Sequence, residues 1–155
     1  MTDMTLMNQQ LRALAEADAA WLPVFANASA LLMDHLPSIN WAGFYLIQKD
    51  HLLLGPFQGK VACIHIPMGK GVCGTAAAED KTQRIDNVHL FPGHIACDSS
   101  SNSEIVIPIH NGDHIVAVLD IDSPIYNRFT QTDQDNLEAF VATLEEITDF
   151  SPLAL

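Results

Sequence analysis

The stretch from residue 103 to residue 123 reads SEIVIPIHNGDHIVAVLDIDS, and it decides the fold. Two apolar runs, Ile105 to Ile109 and Ile115 to Ile121, flank Asn111-Gly112-Asp113. β-Branched side chains suit a pleated strand, and Asn-Gly favours the tight turns that join antiparallel neighbours. The segment therefore predicts a hairpin. Its charged residues sit at strand ends: Glu104 opens the first run, while Asp120 and Asp122 close the second. Residues two apart in an extended strand face the same side of the sheet, so the two aspartates share a face. Carboxylates gathered beside a pocket can hold an ammonium group, and one with a raised pKa can donate a proton at neutral pH.

Upstream, Trp41 to Ile47 (WAGFYLI), Leu52 to Leu54 and Val61 to Ile66 are further short apolar runs bounded by Gly, Pro, Asn and Asp. They read as strands of the same sheet, with Lys49-Asp50 as a second hairpin connector. Between Pro67 and Ser103 lies a long stretch with a helix-like AAAED segment and much loop character, a length that in a compact domain points to function. The first 36 residues read as helical. Leu22, Phe25, Ala26, Ser29, Ala30, Met33 and Leu36 form an i, i+3, i+4, i+7 stripe that Pro37 and Asn40 end. An earlier helix runs from about Leu6 to Ala19, with Leu11 and Leu14 as its contacts. At the other end Thr130 or Thr132 caps a helix whose buried stripe is Leu137, Phe140, Val141, Leu144 and Ile147. The expectation is one α+β domain over residues 1–155: a helical N-terminus over 1–36, a central antiparallel sheet and active-site loops over 41–123, and a C-terminal helix over about 131–149.

Charge narrows the function classes. With 19 Asp+Glu against 7 Lys+Arg the formal charge is −12, which repels phosphate backbones and anionic membranes. Nucleic acid and membrane are therefore not expected partners. No basic segment followed by an unbroken apolar run opens the chain, and no run approaches a membrane span, so the cytoplasm is expected.

Three cysteines cannot all pair within one chain, and each has its own setting. Cys63 lies in VACIHIP, read as strand; Cys73 in GKGVCGTAA, a glycine-rich turn opening a short helix; Cys97 in FPGHIACDSSSNSE, a polar loop. Helix N-termini and loops rich in N–H groups stabilise thiolate, which favours Cys73 and Cys97 as reactive thiols. A metal site could draw on His94, Cys97, Cys63 and His65, but the cysteines are not spaced as C-x-x-C knuckles, so no metal is expected. Trp41 reads either as a core aromatic or as the apolar wall of a pocket for a thioether or methyl group.

The motifs NWAGFYL, LGPFQGKVACIHIP, GKGVCGTAA, FPGHIACDSSSNSEIVIP and VLDIDSP, in this order, resemble the free methionine-(R)-sulfoxide reductases, a family with a GAF-type fold. The likeness runs from about Trp41 to Phe129. It implies that Cys97 attacks the sulfoxide, that Cys63 is the main disulfide partner and that Cys73 is a third redox cysteine. It implies that Glu104, Asp120 and Asp122 bind and polarise the substrate, with Trp41 as an aromatic wall. The implied activity is reduction of free methionine (R)-sulfoxide, a defence against oxidative stress. It proceeds through a sulfenic acid and a disulfide recycled by thioredoxin, without metal or organic cofactor. The apolar N-terminal helices are a candidate homodimer interface on the same likeness. The alternative is a non-catalytic GAF module that senses a small amino-acid-like ligand.

Overall fold

The computed structural model describes residues 4–94 and 100–153. In chain order the elements are α1 (Met4–Ala17), α2 (Trp21–His35), β1 (Trp41–Ile47), β2 (His51–Gly59), β3 (His65–Pro67), α3 (Gly71–Glu79), β4 (Gln83–Ile85), β5 (Ser103–Asn111), β6 (His114–Ser123) and α4 (Gln131–Ile147). The strands form a six-stranded sheet in the order β3-β2-β1-β6-β5-β4, antiparallel at every pairing. The expected hairpin is β5 and β6, turning at Gly112, whose φ of 61° is one that side-chain-bearing residues avoid.

Alternation along the strands separates two cores. On one face Ala42, Phe44 and Leu46 of β1, Ile105, Ile107 and Ile109 of β5, and Ala117, Leu119 and Ile121 of β6 meet α1, α2 and α4. Phe25 of α2 stacks on Phe44 with ring centroids 4.1 Å apart. On the opposite face Trp41, Tyr45, Val106 and Val118 meet Val72, Cys73, Ala76 and Ala77 of α3. Three helices thus cover one side and a single short helix the other, and the thinly covered face carries the polar residues. The C-terminal helix starts as expected at Thr130, where a capping box satisfies the first turn: Asp133 N donates to Thr130 Oγ1 at 3.1 Å and Thr130 N donates to Asp133 Oδ2 at 2.9 Å.

Three expectations need correction. The buried stripe of α2 is Val24, Phe25, Ala28, Ser29 and Leu32, leaving Leu22, Ala26 and Ala30 of the expected stripe exposed. The segment WLPVFANASALLMDH is apolar nearly all round, so periodicity alone does not fix its inner face. In α1 the contacts are Met7 and Leu11, and Leu14 is exposed. Residues 61–64 are irregular rather than strand, and only His65–Pro67 pairs with β2. Ile64 O still accepts from Leu54 N of β2 at 2.9 Å, but before it side chains from β1 hold the carbonyls: Trp41 Nε1 donates to Lys60 O at 3.1 Å and Tyr45 Oη to Cys63 O at 2.9 Å. Within the long stretch after Pro67, Gln83–Ile85 adds a short edge strand against β5 that the sequence reading did not mark.

Candidate active site

Strand register gathers the acidic residues. Glu104 of β5 lies directly opposite Asp122 of β6, Asp122 is opposite Trp41 of β1, and Asp120 is opposite Gly43. All four positions therefore face α3. They line a cavity of about 40 Å³ together with Tyr45, Ala62, Gly71, Cys73, His94 and Ser101. Glu104 is 7% exposed and Asp120 5%, while Asp122 is half-buried.

The aromatic wall is as tightly placed. Trp41, 2% exposed, lies nearly parallel to Phe57 (centroids 5.1 Å) and Tyr45 (6.0 Å). The residue between Trp41 and Tyr45 on this face must be glycine. A Cβ at Gly43 would stand 2.3 Å from Phe57 Cβ and 2.8 Å from Trp41 Cη2. The indole thus lies flat across β1 because the strand is bare beneath it, presenting an apolar plate to the cavity.

Burial and mutual repulsion load the cluster with protons. Glu104 is pushed well above the usual carboxylic range by burial, then by the charges of Asp120 and Asp122. Asp122 is also pushed well up, by burial and then Asp120. Burial raises Asp120 as well, but hydrogen bonds from Glu104, Cys73 and Asp122 favour its charged form. The negative charge therefore concentrates on Asp120, and Glu104 and Asp122 retain protons they can donate. Among the described residues, Asp120 Oδ1 and Asp122 Oδ1 are buried without a hydrogen-bond partner, so each is available to a bound molecule. His94 at the rim is held neutral, its pKa lowered by burial and then by His89.

The cysteines separate. Cys73 is a buried free thiol in the first turn of α3, with Sγ 4.0 Å from Glu104 Oε2. The helix N-terminus argued for a lowered pKa, but the opposite direction holds: burial, then the charges of Asp120 and Glu104, pushes the thiol well up. Cys63 is half-buried and disulfide-bonded. Cys97 lies outside the described residues. Asn40 Nδ2 donates to Ser100 Oγ at 3.3 Å and Ser101 Oγ at 3.1 Å, tying residues 100–101 to the start of β1.

Cys73, Glu104 and Asp120 offer ligand atoms within 4.8 Å of one another and are the described residues that could hold a metal ion. A cation there would first have to displace the protons on Cys73 and Glu104. Of the ligands weighed from sequence, His94 reaches the cavity, whereas His65 is exposed and packs against His51. Tyr45 and Ser101 are pocket residues that the sequence reading missed. Tyr45 was within reach of the same period-two argument that aligned the aspartates, since it lies four residues along one strand from Trp41. No sequence signal distinguished Ser101 within its serine run.

A curled antiparallel sheet with a polar pocket closed by one short helix is the GAF architecture, and the GAF domain family model matches residues 9–146. The free methionine-R-sulfoxide reductase of Escherichia coli is 53% identical over 141 residues, covering 91% of this chain and 86% of that protein. That of Saccharomyces cerevisiae is 47% identical, covering 81% and 74%. The structure of fRMsr of Staphylococcus aureus in complex with substrate superposes with a TM-score of 0.90 at 50% identity, covering 96% of this chain and 97% of that one. The chain is thus a GAF domain. Within that class it belongs to the free methionine-R-sulfoxide reductase family, a family of oxidoreductases. The expected fold class and family are both borne out.

Proposed function

We propose that this chain reduces free methionine (R)-sulfoxide to methionine by thiol chemistry. The observation that carries the reading is the proton-loaded cluster of Glu104, Asp120 and Asp122 sharing one cavity with the Trp41 plate. A sulfoxide sulfur becomes electrophilic when its oxygen is protonated or strongly hydrogen-bonded. Glu104 and Asp122 are suited to that donation. Asp120, which retains the charge, favours a ligand carrying an ammonium, as a free amino acid does. Trp41 receives the thioether end.

Cys97 thiolate attacks the sulfur while two protons reach the oxygen; an S–S bond forms as the S–O bond breaks and the oxygen leaves as water. A water molecule then attacks the Cys97 sulfur, the S–S bond breaks, methionine leaves with the electron pair, a proton is released, and Cys97 is left as a sulfenic acid. The Cys63 thiol then condenses with it, forming the S–S bond and releasing water. Thioredoxin or a similar dithiol returns two electrons and two protons. Cys63 being disulfide-bonded while Cys73 is a buried free thiol supports Cys63 as the resolving partner. Cys73 serves as a third, slower redox thiol, because its proton must be removed against burial. No metal or organic cofactor enters the cycle. The reading places the enzyme in the cytoplasm; no helix among the described residues is long and apolar enough to cross a membrane. A homodimer through the N-terminal helices belongs to the same reading and is supported by exposed Leu6, Leu14 and Leu22; a monomer in sedimentation would remove it.

The test counts free thiols before and after one equivalent of free methionine (R)-sulfoxide, in wild type and in each Cys→Ala variant. Loss of two thiols with release of methionine, abolished by Cys97→Ala, is expected. Full turnover by Cys97→Ala would overturn the nucleophile. A Burkholderia vietnamiensis structure described as a putative GAF sensor protein, 44% identical, keeps a sensing module as the second reading, and it predicts saturable binding with no consumption of ligand.

A further inference from the structure

The segment that carries Cys63 departs from the rest of the molecule in two ways. First, it is apolar yet open: Val61 is 88% exposed and Ile64 61%, one on each side of the disulfide-bonded Cys63. Neither packs on either core, although the carbonyls of Lys60 and Cys63 between and beside them are pinned by Trp41 and Tyr45. The two side chains are therefore displayed from an anchored backbone. Second, the stretch of sequence that contains it reverses the charge balance of the chain. Residues 40–78 contain Lys49, Lys60 and Lys70 against Asp50 alone, in a protein with 7 Lys+Arg and 19 Asp+Glu. Asp50 is itself paired with His51 at 2.8 Å. Lys60, His65 and Lys70 are exposed, and Lys60 and Lys70 adjoin a segment and a helix start that both line the cavity, at Ala62 and Gly71.

We infer that Val61 and Ile64, flanked along the chain by Lys60 and His65 and with Lys70 beside the cavity at Gly71, form the docking face for an acidic dithiol protein that reduces the Cys63 disulfide. The inference rests on the reductase reading above and names where its reductant binds. The chemistry requires such a face. A partner thiolate must reach a disulfide sulfur, and its second thiol must then resolve the mixed disulfide, so two protein surfaces stay in contact through both exchanges. A small apolar centre with a charged rim is the usual anatomy of a transient contact of this kind. On a chain of charge −12 an acidic partner would be repelled almost everywhere, and a locally basic patch steers it to the one place where the disulfide is presented. Two electrons and two protons pass from the partner's dithiol to the Cys63 disulfide, and the partner leaves as its own disulfide.

The experiment compares two reductants on the same variants: thioredoxin, recycled enzymatically, and dithiothreitol at saturating concentration. Val61→Ser/Ile64→Ser is expected to raise KM for thioredoxin about tenfold, because the apolar area these two side chains would bury at the contact is lost. Lys70→Glu is expected to raise it further and to flatten the fall of wild-type kcat/KM with added salt. With dithiothreitol all variants should match wild type. Equal losses with both reductants, unchanged kinetics with thioredoxin, or an altered oligomeric state of the variants would each overturn the docking face. Failure of the reductase reading is separate: it would show as no sulfoxide consumed by wild type with dithiothreitol.

Discussion

Replacing Glu104 by Gln should make the protein more stable and less active at once. Glu104 faces Asp122 across the β5–β6 ladder, with Asp120 on the same face, and all three are withdrawn from water. A buried acid that keeps its proton where the unfolded chain would ionise costs stability, about 1.4 kcal/mol for each unit by which folding raises its pKa, so removing this titration is worth on the order of 1 kcal/mol. For a chain of this length that corresponds to a rise in Tm of about 2–4 °C. The sign with pH follows from the direction of the shift. Folding raises the Glu104 pKa, so the native state binds more protons than the unfolded chain, and this group lowers stability as pH climbs above the ordinary carboxylate value of about 4.3. Gln removes that penalty, so the gain in Tm should be present at pH 7–8 and vanish near pH 4. Activity moves the other way. Loss of a carboxylic acid donor to the sulfoxide oxygen removes a hydrogen bond to developing charge, worth about 1.5–3 kcal/mol, or roughly 10- to 150-fold in kcat/KM. Differential scanning fluorimetry across pH, beside a dithiothreitol-driven turnover assay, reads both. A variant that melts lower than wild type at pH 7.5 and equally at pH 4 would refute the reasoning, because it would mean that Glu104 is an anion held by donors.

Three further outcomes are expected. Thr130→Ala breaks the capping box of α4 far from the pocket, costing about 1 kcal/mol and a few degrees of Tm with activity unchanged; loss of activity instead would show that α4 communicates with the site. His110 is half-buried, and burial disfavours its charge, yet its contacts with Asp80 at 2.6 Å and Glu145 at 3.1 Å outweigh this and raise its pKa. Its stabilising contribution is then complete below the unfolded value of about 6.5 and fades as pH rises through the folded value, so His110→Gln should lower Tm at pH 6 and converge on wild type at alkaline pH; a constant deficit across that range would refute the ion pairs. Tyr45→Phe keeps the ring but frees the Cys63 carbonyl, so disulfide formation should slow roughly fivefold and dimedone should trap more sulfenic acid, while KM for sulfoxide stays near wild type; wild-type disulfide kinetics would show that the phenol does not position Cys63.

The fold was most legible where a local rule and the global arrangement agree. Asn111-Gly112-Asp113 needed no partner to announce a hairpin, and Thr130 with Asp133 announced a helix start, because both signals are satisfied within a few residues. Legibility failed where the deciding partner was distant in sequence. The inner face of α2 is chosen by Phe44 and its sheet neighbours, since the helix is apolar on nearly every side. Residues 61–64 look like strand by composition, yet the carbonyls of Lys60 and Cys63 are taken by an indole and a phenol from β1, and only Ile64 O meets β2. A composition rule registers neither.

The same distinction explains the site. That Asp120 and Asp122 share a face is a consequence of the two-residue period and could be read from the sequence; that Glu104 joins them depends on a register visible only across strands. Cys73 shows how far a cross-strand partner can reverse a local argument. Its position in the first turn of α3 would stabilise a thiolate if the helix ended in solvent. Here the helix start is turned onto the sheet, the thiol loses its water, and the nearest charges are carboxylates, so each remaining contribution favours the proton. One geometric fact, α3 docking over the acidic strand ends, makes the pocket proton-rich and Cys73 slow to ionise together. An enzyme that must protonate an oxygen and keep its nucleophile as a thiolate gains from not using Cys73 for the attack. The reading of Cys97 as that nucleophile follows the same division.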